Sequence, residues 1–325
     1  MTDNAVLDQI LALLKEGHSF SLSGHQNPDG DVIGSQLAMA SLIKRLGPKK
    51  KVDIQNHGAV PRSVSFLPGA DKIMNVKRVE GKYDVQIVFE CSGADRMGGI
   101  IDFGSQVVKV INIDHHLHNP NFGDVNFVEP TTSSTAELIF KIIERSGLSL
   151  QTDEAICLFT GLVTDTGWFR YGNTNPQSFA IAGKLLAAGI KIEDLSERIY
   201  LSKSKTALPL MAWALSNMTL HYDDRVAVMT LPNDVFVKLG AVPDDVEEIV
   251  NLGLQRESVI ASVLLKEKSN PDVVKISLRS KGLYDINQVA RVFGGGGHRN
   301  ASGCAINQDL ASAKKAVLKE MARLF

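Results

Sequence analysis

Short apolar runs and longer amphipathic stretches alternate through the first half of the chain. Residues 20–24, 52–56, 85–89 and 107–113 read as buried strands, each about the length of one strand and followed by polar residues. Between them, apolar side chains recur at helical spacing over 32–46. They do so again from Thr135 to about Arg145, where Thr131, Thr132, Ser133 and Ser134 offer hydroxyls for an N-cap. This alternation predicts an α/β chain whose N-terminal domain is built on a mainly parallel sheet. From about 153 to 217 the pattern is predominantly helical, with breaks near 172–176, 189 and 202–205. Strand patterns return at 226–230, 259–265 and 273–279, followed by a helix over 286–293, four glycines and a terminal helix. The expected organisation is a first domain over 1–190, a helical connector over 191–217 and a smaller α/β domain over 218–325.

Composition narrows the class. A net charge of −1 argues against a long nucleic-acid duplex as partner, because neutralising many phosphates needs a basic excess. A short anionic ligand is compatible with it. No uncharged apolar stretch reaches membrane-spanning length, and no targeting segment is visible, so no membrane association is expected. Cys91, Cys157 and Cys304 lie far apart, which encodes neither a disulfide framework nor a thiolate zinc site; a reducing cytoplasm is the expected setting. Aromatic residues make up 6% of the chain, too sparse for a platform that stacks a long single strand.

Chemistry-bearing residues gather where the apolar runs end. His25, Asp29 and Asp31 follow the first strand and precede a helix, the position where open α/β sheets bind ligands. A polar turn with Asp31 as N-cap would explain one of these carboxylates but not the group. Glu90 ends the run 85–89. Asp114, His115 and His116 end the run 107–113, two imidazoles beside a carboxylate that can fix a tautomer. Asp165 interrupts a nearly uncharged helical stretch. Together His25, Asp29, Asp31, Glu90, His115 and Asp165 supply nitrogen and oxygen donors without a thiolate. Such donors suit Mn2+, with Mg2+, Co2+ or Fe2+ as alternatives. Six donors exceed what one ion needs, and two adjacent divalent ions are a known means of activating water against a phosphoester.

These motifs resemble those of the DHH phosphoesterases, and in particular the standalone oligoribonuclease/3′-phosphoadenosine 5′-phosphate phosphatases that join a DHH domain to a DHHA1 domain. His25-x-Asn27-Pro28-Asp29-x-Asp31 is similar to the first family motif and Asp114-His115-His116 to the naming motif. Residues 164–169 are similar to the fourth motif, and Gly294 to Gly297 with His298 to the DHHA1 signature. The resemblance implies that His25 and Asp29 hold one ion, that Asp31, His115 and Asp165 hold the other, and that His116 faces the phosphate with Asp114 behind it. The family's second motif supplies an aspartate that bridges both ions. Here the aligned residue is Glu90, with Asp95, five residues on, as the alternative bridge.

In the second domain the resemblance implies that Arg279 and His298 grip a terminal phosphate, with Ser280, Gly295, Gly296 and Gly297 lining the same site. A glycine-rich hairpin is the competing reading of the four glycines. The implied substrates are very short single-stranded RNA or a small nucleotide such as 3′-phosphoadenosine 5′-phosphate. Cyclic or linear dinucleotides are the nearest alternative, inorganic pyrophosphate a more distant one, and a nucleotide-binding protein without turnover the alternative of another class. A homodimer is a further candidate assembly.

Overall fold

The strands of the first half end in step, and that register places the site. The computed structural model describes residues 3–246, 248–268 and 272–324. It divides into two units, Met1–Ser202 and Lys203–Phe325.

The first unit runs α1 (Asp3–Glu16), β1 (Ser19–Gly24), α2 (Gly30–Leu46), β2 (Lys51–Asn56), β3 (Met74–Asn75), β4 (Tyr83–Phe89), α3 (Phe103–Gln106), β5 (Val107–Asp114), β6 (Val125–Val128), α4 (Thr135–Ser146), α5 (Thr152–Asp165), α6 (Pro176–Ala187) and α7 (Ile192–Tyr200). Its six strands are parallel throughout, in the order β3-β2-β1-β4-β5-β6. The chain builds outward from β1 through β2 to β3, then returns to place β4 on the other side of β1. That reversal is the switch point at which such sheets bind ligands, beyond the carboxyl ends of the strands. Gly24 pairs with Phe89 and Phe89 with Ile113. His25, Glu90 and Asp114 therefore leave the sheet side by side.

A continuous core covers one face, with Leu14, Phe20, Ile33, Met39, Leu42, Ile87, Ile139 and Phe159 sealed from solvent. The other face packs Val79, Tyr83, Val88, Cys91, Met97, Ile100 and Val110, drawn largely from connecting segments. The N-caps follow side-chain chemistry. Asp29 accepts from the amides of Asp31 and Val32 to start α2, and Ser134 accepts from the Glu137 amide to start α4.

The second unit runs α8 (Ala207–Ser216), β7 (Thr219–His221), β8 (Val226–Leu231), α9 (Asn233–Leu239), α10 (Ile249–Gly253), β9 (Ala261–Glu267), β10 (Val274–Ser280), α11 (Asn287–Val292), β11 (Gly296–His298), β12 (Ala301–Ile306) and α12 (Leu310–Met321). Its sheet order is β11-β12-β10-β9-β8-β7, antiparallel except for the β8–β9 pair. Strand residues alternate between two cores, as the two-residue period of a strand requires. Val226 and Val228 join the residues of α11 and α12, whereas Met229 and Leu231 join those of α8, α9 and α10.

Residues 191–217, expected as a connector, are shared between the units. Leu195 and Ile199 of α7 belong to the first core, Leu210 and Ala214 of α8 belong to a core of the second, and the division falls between Ser202 and Lys203.

Candidate metal centre

Four chain segments bring their polar side chains to the carboxyl edge of the first sheet. His25, Asp29 and Glu90 have donor atoms mutually within 4.8 Å, and so do Asp31, His115 and Asp165. Glu90 links the two groups, since its Oε1 lies 3.6 Å from Nε2 of His115. That same nitrogen is 3.5 Å from Oδ2 of Asp165, and His25 Nε2 is 3.5 Å from Oδ2 of Asp29. All six residues singled out as donors in the sequence thus meet at one place. Asp95 belongs to neither group.

Several of the donors are held by a second contact. The Nδ1 atom of His115 lies 3.4 Å from the Thr132 carbonyl, which aims Nε2 at the carboxylates. Asp31 is fixed across the fold: Oδ2 accepts from the Thr135 amide at 2.6 Å and Oδ1 from the Ala136 amide at 2.8 Å. A metal donor candidate thus also caps the N-terminus of α4. Gly161 permits this approach, because a Cβ there would stand 2.7 Å from Oδ1 of Asp31. Asp165 Oδ2 accepts from Asn173 Nδ2 at 3.2 Å. Asn119 Nδ2 donates to Asp114 Oδ2 at 2.6 Å. Nothing local in the sequence marks Gly161, Asn119 or Asn173, whose roles arise only when distant segments meet.

His116 turns its Nδ1 to Asp114 Oδ1, 2.7 Å away. An ionised carboxylate only accepts, so Nδ1 carries the proton and Nε2 points away from Asp114. Glu90 sits at φ 56°, in the left-handed region that side chains longer than Asp or Asn seldom occupy. Gly167, Trp168 and Phe169, just after Asp165, follow one another at φ 55°, 59° and 62°. Three consecutive left-handed residues form a strained turn beside the site.

The electrostatics are those of crowded carboxylates. Burial, then the charge of Asp165, push Asp31 up to about 7, with His115 opposing. Burial raises Glu90 well above its ordinary value, and Asp29, Asp31, Asp165 and Asp114 add to this. Burial also raises Asp165. Burial disfavours protonation of the His115 ring, but the charges of Asp165 and Asp31 outweigh it and raise the group. Asp29 goes the other way: burial would raise it, yet the hydrogen bond and charge of His25 hold it low. Among the described residues no lysine or arginine pairs with Asp29, Asp31, Glu90 or Asp165, and the buried Oε2 of Glu90 has no hydrogen-bond partner. A carboxylate cluster of this kind either takes up protons, as the raised Asp31, Glu90 and Asp165 do, or is neutralised by bound cations. The donor set fits hard divalent ions, which neutralise carboxylates and accept imidazole.

In the second unit, Arg279 and His298 are both register partners of Ala301, so the two side chains share a sheet face with a small residue between them. Ser280 is not brought to that row. It faces the other way, donating to the Tyr284 carbonyl at 2.6 Å and accepting from Asn300 at 2.9 Å. The four glycines form a hairpin. Gly294 and Gly295 donate to the carbonyls that end α11, while Gly296–His298 pairs with β12 across the two residues Arg299 and Asn300. Gly297 has φ 142°, and a Cβ there would meet the Ala301 carbonyl at 2.5 Å. Backbone packing thus accounts for Gly297.

Comparison with known proteins agrees with this architecture. The description "DHH family, N-terminal domain" matches residues 19–162, and "DHHA1 domain" matches residues 223–325. A Thermus thermophilus protein named bifunctional oligoribonuclease and PAP phosphatase NrnA is 30% identical over 299 residues, covering 92% of this chain and 87% of that protein. The chain belongs to the DHH family. Its membership makes it a phosphoesterase. A Bacillus subtilis protein of the same name is 27% identical, with 88% of each chain covered. A solved structure of an exopolyphosphatase-related protein from Bacteroides fragilis superposes with a TM-score of 0.90 at 30% identity, covering 98% of this chain and 97% of that one. No helix among the described residues is long and apolar enough to cross a membrane.

Proposed function

We propose that this DHH protein hydrolyses very short oligoribonucleotides and 3′-phosphoadenosine 5′-phosphate with two divalent ions, Mn2+ being best suited to the donors. The observation that carries the reading is the convergence of His25, Asp29 and Glu90 on one side and Asp31, His115 and Asp165 on the other, joined through the 3.6 Å approach of Glu90 to His115. In this reading His25 and Asp29 hold one ion, Asp31, His115 and Asp165 hold the second, and Glu90 serves both. When bound, such ions lower the pKa of water and neutralise charge on phosphoester oxygens. The names of the Thermus thermophilus and Bacillus subtilis relatives support the choice of substrates.

The protein's own groups have separate tasks. Asp114 keeps the Nδ1 proton on His116 and fixes the ring, so that Nε2 is the nitrogen left to face a phosphate or leaving oxygen. Burial of Asp31 and Glu90 excludes water from the carboxylates. The shared face of Arg279 and His298 supports a role in holding a terminal phosphate, for which the planar guanidinium is suited.

The reading is tested by a hydrolysis panel with Mn2+: 3′-phosphoadenosine 5′-phosphate, RNA dimers to pentamers, cyclic di-AMP and pyrophosphate, each repeated after chelation. The expected result is metal-dependent cleavage of the first substrate and of the shortest RNAs. Full activity after rigorous metal removal, or turnover of pyrophosphate alone, overturns it.

A further inference from the structure

Arg96 sits on a short 3₁₀ turn, Ala94–Met97, six residues beyond Glu90. Its backbone is fixed at both ends. The Arg96 amide donates to the Gly93 carbonyl at 3.1 Å, and its carbonyl accepts from the amide of Gln26, the neighbour of His25, at 2.7 Å. Met97, 1% exposed, anchors the turn in the core of the second sheet face. The base of the Arg96 side chain is therefore held beside the loop that carries His25 and Asp29.

The guanidinium, by contrast, is uncommitted. Arg96 is exposed, and its side chain makes no hydrogen bond or ion pair among the described residues, although Asp95 is its immediate neighbour. Its charge nonetheless reaches the site. Burial disfavours protonation of His25 and Asp29 favours it, and Arg96 acts in the same sense as burial. An arginine whose backbone is immobilised and whose five donors are unspent is prepared for an oxyanion such as phosphate, two of whose oxygens match its planar fork. Asp29, Asp31, Glu90 and Asp165 surround the site, and a cation anchored at its edge adds attraction for an incoming phosphate to whatever the ions supply.

We propose that Arg96 is a phosphate-binding residue of the catalytic unit, contacting substrate on the His25–Asp29–Glu90 side without ligating metal. This rests on the phosphoesterase reading of the same site. It assigns the first unit its own grip on the anion, separate from Arg279 and His298.

The test compares wild type, Arg96→Ala and Arg96→Lys in the full-length protein loaded with Mn2+. Inorganic phosphate binding to the loaded protein and Mn2+ binding to the chelator-stripped protein are measured by calorimetry, and kcat and KM on 3′-phosphoadenosine 5′-phosphate by product release. Loss of a charge-assisted contact should weaken phosphate binding and lower kcat/KM about ten- to a hundredfold in Arg96→Ala, with Arg96→Lys intermediate. Affinity for Mn2+ should be unchanged or tighter, because a like charge has been removed. Those opposite signs separate a substrate contact from a structural role, which would weaken both ligands and lower Tm together. Phosphate binding within twofold of wild type in Arg96→Ala overturns the proposal, as does parallel loss of Mn2+ and phosphate, or a wild type that binds no phosphate. Arg96-dependent phosphate binding in a protein that cleaves none of the panel would sink the hydrolytic reading and leave the Arg96 site standing.

Discussion

Asp31 Oδ1 accepts the amide proton of Ala136 at 2.8 Å, joining the start of one helix to the start of another 105 residues along the chain. The contact gives Asp31 a structural task beside its place among the metal donors.

Asp31→Asn therefore has two expected effects. An amide nitrogen in place of one oxygen would face a backbone N–H, but the change also removes a charge that burial and Asp165 disfavour, so metal-free stability should change little while the rise in Tm with Mn2+ is lost. Turnover should fall at least about 10²-fold, the scale seen when positioned electrostatic stabilisation is removed. Thermal unfolding in chelator and with Mn2+, beside a rate assay, separates the two. A variant with wild-type rate removes Asp31 from the site.

Glu90 can be examined by shortening and by neutralising it. Glu90→Asp keeps a carboxylate and suits the left-handed backbone at φ 56°. It should bind Mn2+ and retain activity. Glu90→Gln should lose the Mn2+-induced rise in Tm. Equal Mn2+ content and rate in Glu90→Gln and wild type would make Asp95 the candidate bridge.

Gly161→Ala tests the close approach behind Asp31. Helix propensity alone would favour alanine by about 1 kcal/mol. The new methyl would meet Asp31 Oδ1 at 2.7 Å and the Ala136 side chain at 2.8 Å, so overpacking of about 1–3 kcal/mol should win. A variant more stable than wild type contradicts that approach.

Stability should also depend on pH through Asp84, which accepts from the His18 amide at 2.8 Å and the Ser19 amide at 3.0 Å and so ties the start of β1 to β4. The His18 hydrogen bond is the main reason its carboxyl lies below the ordinary 3.8, burial opposing and Ser19 adding to it. A lowered folded value means a contribution present above about 3.8 and lost as pH falls through the folded value. Asp84→Asn should cost about 1 kcal/mol at pH 7, and its Tm difference from wild type should close in acid. A difference that persists unchanged at pH 2 rules out the charge as its source.

Much of this was legible because local pattern and tertiary role coincide. The run 85–89 is buried along its length and 107–113 from Val110 onward, so they read as apolar segments broken only by Gln86, Lys109 and Asn112, and the donors stand at their ends. The edge strands β3 and β6 are short and partly exposed, and their sequences give little alternation to read. The first helix carries Leu7, Ile10, Leu11 and Leu14 at helical spacing, yet it was absent from the expected elements. The glycine cluster reveals conformational freedom but not its use, and its pairing with β12 depends on residues beyond it. The cap that Asp31 gives α4 had no local signal, because it exists only once two distant segments are packed.

The boundary between Ser202 and Lys203 also orders events in time. Every residue proposed as a metal donor lies at or before Asp165, and the core that supports them closes with α7. A chain emerging from the ribosome presents the whole donor set before the second unit is complete, and N-terminal domains generally fold first during synthesis. The cutting half can thus take up its ions while the half proposed to hold the nucleotide is still being made.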